Sequence, residues 1–303
     1  MQQADFLILV DAEAVRIKER YTDLDLGLAA NLPDAVERLR GRIGNHPFQV
    51  QLASGVFMLK RPLALPAGVS LRGTGNRTIL RAEAGFEGEA LILVQGRNGV
   101  TVADLSLRAD GAEPAGMFSG LVLADCGNCN VKDVLCVGLP DAGIRLEDGC
   151  FLCEVSGCRL ADCGRAGVHC RDNAGHGRGG DFVPNLITHC MAYRGGVGFE
   201  IEKTIVLNVI GCVVYQSRGY GFHIHRNSNS VVLSGCRTFQ ILATGNTVNY
   251  GTEAEGVRLD GLDCRADTNS ARMGTPHIGA DNVPPKTFHS YEVTRLEQFI
   301  KDL

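Results

Sequence analysis

Gly143-Ile-Arg-Leu-Glu147, Gly167-Val-His-Cys-Arg171, Gly198-Phe-Glu-Ile-Glu202 and Gly221-Phe-His-Ile-His225 are four copies of one phrase. A glycine is followed by two apolar residues that alternate with two ionisable ones. A weaker copy, Gly120-Leu-Val-Leu-Ala124, opens the series, and Gly256-Val-Arg-Leu-Asp260 ends it. Successive glycines are 23, 24, 31, 23 and 35 residues apart. Three of these spacings are one bare coil. The two long ones contain insertions, Asp172 to Pro184 and Ala243 to Glu255.

A second column keeps the same register: Val134, Cys158, Cys190, Cys212 and Cys236, in contexts such as Ser156-Gly157-Cys158 and Ile210-Gly211-Cys212. Small thiol side chains stacked coil on coil suit a narrow interior, where free cysteine behaves as a small hydrophobe. A fixed period of this size means a solenoid, a propeller or an array. The apolar residues follow period two, which excludes helical and leucine-rich repeats. A propeller blade needs about four strands, too many for this coil. The pattern predicts an all-β chain, a single-stranded right-handed parallel β-helix.

Outside the repeat, Pro33 to Arg40 has helical spacing with Asn31 placed to cap it, and short strands follow at 48–52, 56–59 and 69–71. The expected organisation is one domain in three parts. These are an N-terminal segment with a capping helix (1–47), the β-helix (48–268), and an irregular segment with a C-terminal capping helix (269–303). In that last part, 269–289 reads as irregular and Tyr291 to Leu303 as amphipathic helix. Caps of this kind prevent edge-to-edge strand addition.

Residues Gln51 to Arg81, QLASGVFMLKRPLALPAGVSLRGTGNRTILR, resemble the entry coils of the pectate-lyase-like β-helix superfamily. The resemblance implies the fold. It leaves activity open, because that superfamily includes lyases, hydrolases, epimerases, fructotransferases and phage adhesins, and fold does not supply function.

Composition narrows the classes. A net charge of −4 argues against a general nucleic-acid binder. No apolar run reaches the length of a membrane span. The start, Met1-Gln2-Gln3-Ala4-Asp5, lacks the basic and apolar regions of a secretory signal. Together with 12 cysteines this predicts a cytoplasmic protein with reduced thiols. The lone Gly73-Thr74-Gly75 has no helix behind it to make a nucleotide loop. Gly175-His176-Gly177 is found in polygalacturonases, but their paired aspartates are not evident upstream.

Strand parity places the other residues of each phrase on the outer face. One outward column is Val122, Arg145, His169, Glu200, His223 and Arg258. Its neighbour is Ala124, Glu147, Arg171, Glu202, His225 and Asp260. Adjacent coils lie about 4.8 Å apart, so residues within a column touch. Five coils present only Arg, His, Glu and Asp at these sites. The first presents Val and Ala, and Ile92 and Val94 are expected to extend that apolar start. The insertions leave the same sheet, where long loops wall a cleft.

These residues suit chemistry on a uronate or related sugar. A cation neutralises the carboxylate, a base removes the adjacent carbon-bound proton, and an acid completes the step. Arg145, Arg171 and Arg258 are candidate carboxylate clamps, with His169, Glu147 and Asp260 beside them. His223 or His225 is the candidate base. Glu200 and Glu202, with Glu147 and Asp260, could instead serve a glycosidase pair.

Tyr220-Gly-Phe-His-Ile-His225 is similar to the Tyr-Gly-x-Asp-Pro-His motif of mannuronan C5-epimerases. The resemblance implies catalytic roles for Tyr220 and His225. The family's Asp is His223 here, and its Pro is Ile224. Lys203 and Arg226, closing equivalent strands, resemble the Lys base and next-coil Arg of some β-helix lyases.

No cofactor is required by this chemistry, but two sets suit a divalent metal. His169, Glu200, His223 and His225 supply imidazole and carboxylate ligands. Cys126, Cys129, Cys150 and Cys153 have zinc-ribbon spacing, which the coil period alone also produces. An intracellular isomerase or cyclase of a small metabolite, metal-dependent or cofactor-free, is therefore a second expectation. A non-catalytic binding or assembly solenoid, trimeric or dimeric, is a third. The expected partners are a small-molecule or carbohydrate substrate and further copies of the chain, without nucleic acid or membrane.

Overall fold

The computed structural model describes residues 4–110, 116–173, 183–225, 228–239, 250–252 and 258–260, the last two segments by backbone alone. Each coil contributes one strand to each of three parallel stacks. These form a sheet of 12 strands, here sheet 1, and two sheets of 8, sheets 2 and 3. Sheet 3 carries the repeated phrase on strands Ser119–Ala124, Ala142–Glu147, Ala166–Arg171, Val197–Glu202 and Phe222–Ile224.

The glycines of that phrase have a steric cause. A Cβ on Gly120, Gly143 or Gly167 would lie 2.6–2.8 Å from the carbonyl oxygen of the equivalent glycine one coil on. At Gly198 it would run into both the Gly221 carbonyl oxygen and Val214. The backbone of each coil thus occupies the space a side chain would need.

Turns between sheets 1 and 2 are made by single left-handed residues. Asp104, Asp133, Gly157, His189, Gly211 and Gly235 have φ between 51° and 64°. In this region only glycine is unstrained, with Asn and Asp next best tolerated. The residue after each turns inward, which explains the Gly-Cys pairs in the sequence. Cys158, Cys190, Cys212 and Cys236 are fully buried, and their thiols donate to backbone carbonyls of their own and the preceding coil.

The inward residues of sheet 3, from Leu121 and Ile144 to Phe222 and Ile224, are all at most 1% exposed. Phe199 stacks on Phe222 one coil away, with ring centroids 4.8 Å apart. Ile92 and Val94 belong to this core as well. The expectation that they face outward is corrected by the register, which pairs Leu93 with outward Val122.

Helix α1 (Leu32–Ile43) starts where expected: Asn31 Oδ1 accepts from Asp34 N at 2.9 Å. Its buried face is Leu32, Ala35, Val36 and Leu39. Before it, residues 4–29 form three strands that the sequence did not announce. Strand Ala4–Asp11 pairs in parallel with Phe48–Leu52, and Ala14–Glu19 and Asp25–Ala29 extend the sheet antiparallel. The expected C-terminal helix lies outside the described residues. Among the described residues no helix is long and apolar enough to cross a membrane.

The last phrase was assigned to the wrong face. Strand Arg258–Asp260 pairs with Val232–Ser234 in sheet 1, whereas Tyr250–Thr252 takes the next rung of sheet 3. Glycine beside alternating apolar residues suits any face of the coil, so the motif alone could not distinguish them. His223 therefore neighbours Gly251, not Arg258.

Candidate functional site

The register of sheet 3 builds the outer columns rung by rung. Arg145 pairs with His169, His169 with Glu200, and Glu200 with His223. Beside them Glu147 pairs with Arg171 and Arg171 with Glu202. His225 follows strand Phe222–Ile224, its amide donating to Ile201 O. Parity thus brings Arg145, Glu147, His169, Arg171, Glu200, Glu202, His223 and His225 onto one wall. Arg258 and Asp260 are not part of it.

Glu200 is the hub, though it is only 8% exposed. Its Oε2 accepts from Arg165 Nε at 2.7 Å, and its Oε1 lies 3.2 Å from His225 Nε2. Burial alone would raise its carboxyl, but the hydrogen bond and charge of Arg165, with the hydrogen bond to His225, outweigh that pull. Glu200 stays below the ordinary carboxylate range and is ionised at neutral pH. The His223 ring lies 4.0 Å from that of His225, and the Tyr220 ring stacks on that of His223 at 4.0 Å and 13°. Glu200, His223 and His225 bring one ligand atom each to within 4.8 Å of one another.

His169 is fully buried. Its Nε2 is 3.5 Å from Glu202 and 3.9 Å from Glu200. Burial, followed by the Arg165 charge, lowers its basicity, so the imidazole is neutral near pH 7. It does not complete the ligand set with Glu200, His223 and His225.

A second cluster occupies the earlier rungs. Arg145 reaches Asp141 at 3.0 Å, Glu147 at 3.0 Å and Glu89 at 2.9 Å. Arg171 donates to Glu147 at 2.8 Å, and Asp141 also accepts from Ser119 at 2.8 Å. The expected clamps Arg145 and Arg171 are thus held by the protein's own carboxylates. Lys203 lies in the turn after sheet 3, paired with Asp172 at 3.2 Å and away from Glu200. Arg226 and Gly175 to Gly177 fall outside the described residues.

Cys126, Cys129, Cys150 and Cys153 are all buried, and each thiol donates to backbone carbonyls. Among the described residues only Glu200, His223 and His225 meet the separation a metal needs. The four thiols adjoin one another within and across the two coils.

Arg165, Asp141 and Glu89 were missed in the sequence. Arg165 and Asp141 each stand two residues before a phrase glycine, in the turn entering sheet 3. An ionisable residue at that fixed offset was the available signal.

No protein-family model matches the chain, and no curated protein matches it in sequence. Solved structures do resemble it. The N-terminal fragment of bacteriophage Phi29 gene product 12 matches with a TM-score of 0.55 at 14% identity, over 78% of this chain and 51% of the fragment. The enzymatically active domain of bacteriophage CBA120 tailspike protein 2 matches with a TM-score of 0.55 at 12% identity, over 84% and 46%. Pectate lyase Pel9A matches with a TM-score of 0.51 at 10% identity, over 80% and 76%. The chain spans about half the length of the two phage structures. With sheets stacked in parallel coil by coil, the chain is a right-handed parallel β-helix, the fold it shares with pectate lyase Pel9A and these phage proteins.

Proposed function

We propose that the wall of sheet 3 around Glu200 is the active site of a carbohydrate-active β-helix. Its substrate is a uronate or related sugar, and its reaction begins with removal of the proton next to the sugar carboxylate. The observation that carries this reading is that His223 and His225 meet the buried Glu200 of the adjacent rung, with Tyr220 stacked on His223. A flat solvated face would not bury its carboxylates. The pectate lyase and tailspike likenesses support a sugar-acting solenoid, at the level of fold.

In this reading Tyr220, at the half-buried edge of the cluster, exchanges the proton as its phenolate, its hydroxyl proton having passed to water. The carbon–hydrogen bond breaks, its proton passes to the phenolate oxygen, and the electron pair delocalises into the carboxylate. Return of a proton from water to the opposite face gives an epimer. Expulsion of the neighbouring glycosidic oxygen, which takes the proton back from Tyr220, gives an unsaturated product. The imidazole N–H groups are the donors available to that charge, and Glu200 orients His225.

The test is an assay of polygalacturonate and alginate, following unsaturated ends by absorbance and inverted centres by NMR. Tyr220→Phe, which keeps the ring stacked on His223, is expected to lower turnover at least about 100-fold. Undiminished turnover in that variant overturns the assignment. Binding of either polymer without turnover in the wild type would instead favour a non-catalytic solenoid.

A further inference from the structure

We propose that Glu200, His223 and His225 form a binding site for one divalent first-row transition-metal ion. Ligand atoms bound about 2.1 Å from a metal lie roughly 3–3.5 Å apart at tetrahedral or octahedral angles. Glu200 Oε1 and His225 Nε2 are already 3.2 Å apart. The His223 ligand atom is within 4.8 Å of both, so a small ring rotation closes the set. Two imidazoles and one carboxylate on one face leave the remaining positions open, and this donor set selects such ions over magnesium or calcium.

The surroundings are those of a prepared site. Arg165 holds the other oxygen of Glu200 at 2.7 Å, which fixes the carboxylate and directs Oε1 toward the histidines. Tyr220 packs flat on His223 and limits its ring to a narrow range.

Charge points the same way. The linked wall residues include six carboxylates, Glu89, Asp141, Glu147, Asp172, Glu200 and Glu202, against four cations, Arg145, Arg165, Arg171 and Lys203. These ten groups together carry a net charge of −2, which one divalent ion cancels. An anionic sugar brought to the bare wall would be repelled. A metal here supplies the positive charge that the committed arginines do not. That role rests on the sugar-acid reading above, whereas the metal site rests on ligand geometry alone.

The whole protein, stripped with EDTA and dialysed, is titrated with Zn²⁺ and separately with Mn²⁺ by calorimetry, with thermal unfolding measured beside each titration. One equivalent is expected to bind and to raise the melting temperature. Glu200→Gln, His223→Ala and His225→Ala should each raise Kd at least about 100-fold. His223→Gln replaces His223→Ala if the latter melts early. The Cys126→Ser/Cys150→Ser double variant should bind normally. Absence of saturable binding, binding untouched by the histidine variants, or binding abolished by the cysteine variant each overturns the site. One bound equivalent without turnover of any polyuronate leaves the site standing and removes the sugar reading instead.

Discussion

The first rungs of sheet 3 and its later rungs are the same on the inside and opposite on the outside. Leu121 and Leu123 fill the core as Phe199 and Ile201 do. Outward, the early rungs present Ala90, Val122 and Ala124 with Leu93, a small apolar cluster of its own. The later rungs present His169, Glu200, Glu202, His223 and His225. The coil is therefore indifferent to outer chemistry. What it requires is an apolar interior and a glycine where two backbones meet.

The two regions are joined by Arg145. It sits one rung after Val122, yet its guanidinium reaches back to Glu89, one rung before. Its stem starts beside Val122 on the adjoining rung, where an aliphatic stem can shield that fully buried outward valine. One arginine thus covers the apolar end while anchoring the charged one.

Disturbing the shared interior should have the largest effect. Phe199→Ala removes one ring of a stacked, fully buried pair, and a loss of about 3–5 kcal/mol is expected from denaturant unfolding. A loss under about 1 kcal/mol would mean that the coils are not packed through these rings. The joint between the regions comes next. Arg145→Ala strands the buried Glu147 and Asp141 carboxylates, and a cost of about 3 kcal/mol is expected. Arg145→Met keeps an apolar stem over Val122, so its melting temperature should lie between those of Arg145→Ala and the wild type. Equal melting of the two variants would remove the covering role. The smallest effect is expected at Asp162→Ala, which breaks a half-exposed pair with Arg194 at 2.7 Å. It should cost less than about 1 kcal/mol, and less still at high salt.

The candidate site was legible in the sequence as a parity pattern. Eight of its side chains could be placed on one wall because strand alternation is a local rule, and His223 and His225 needed nothing beyond it. Arg165 was not legible, since it enters from the turn and meets Glu200 across 35 positions of chain. The ion pairs of Arg145 and Arg171 were hidden for a related reason. An arginine free in a sequence can be fully engaged once its neighbours on other coils are known.

By itself, then, the order of residues determined the solenoid, its coil length, the cysteine stack and, from Gly120 to His225, which side chains of the repeated phrase face in or out. All of these follow from sterics and burial acting over two to five neighbouring residues. Only the folded chain decided which sheet received Arg258–Asp260, which carboxylates captured the arginines, and which three ligand atoms drew together. Those outcomes depend on turn lengths and on distances between coils, and both are set when the rungs stack.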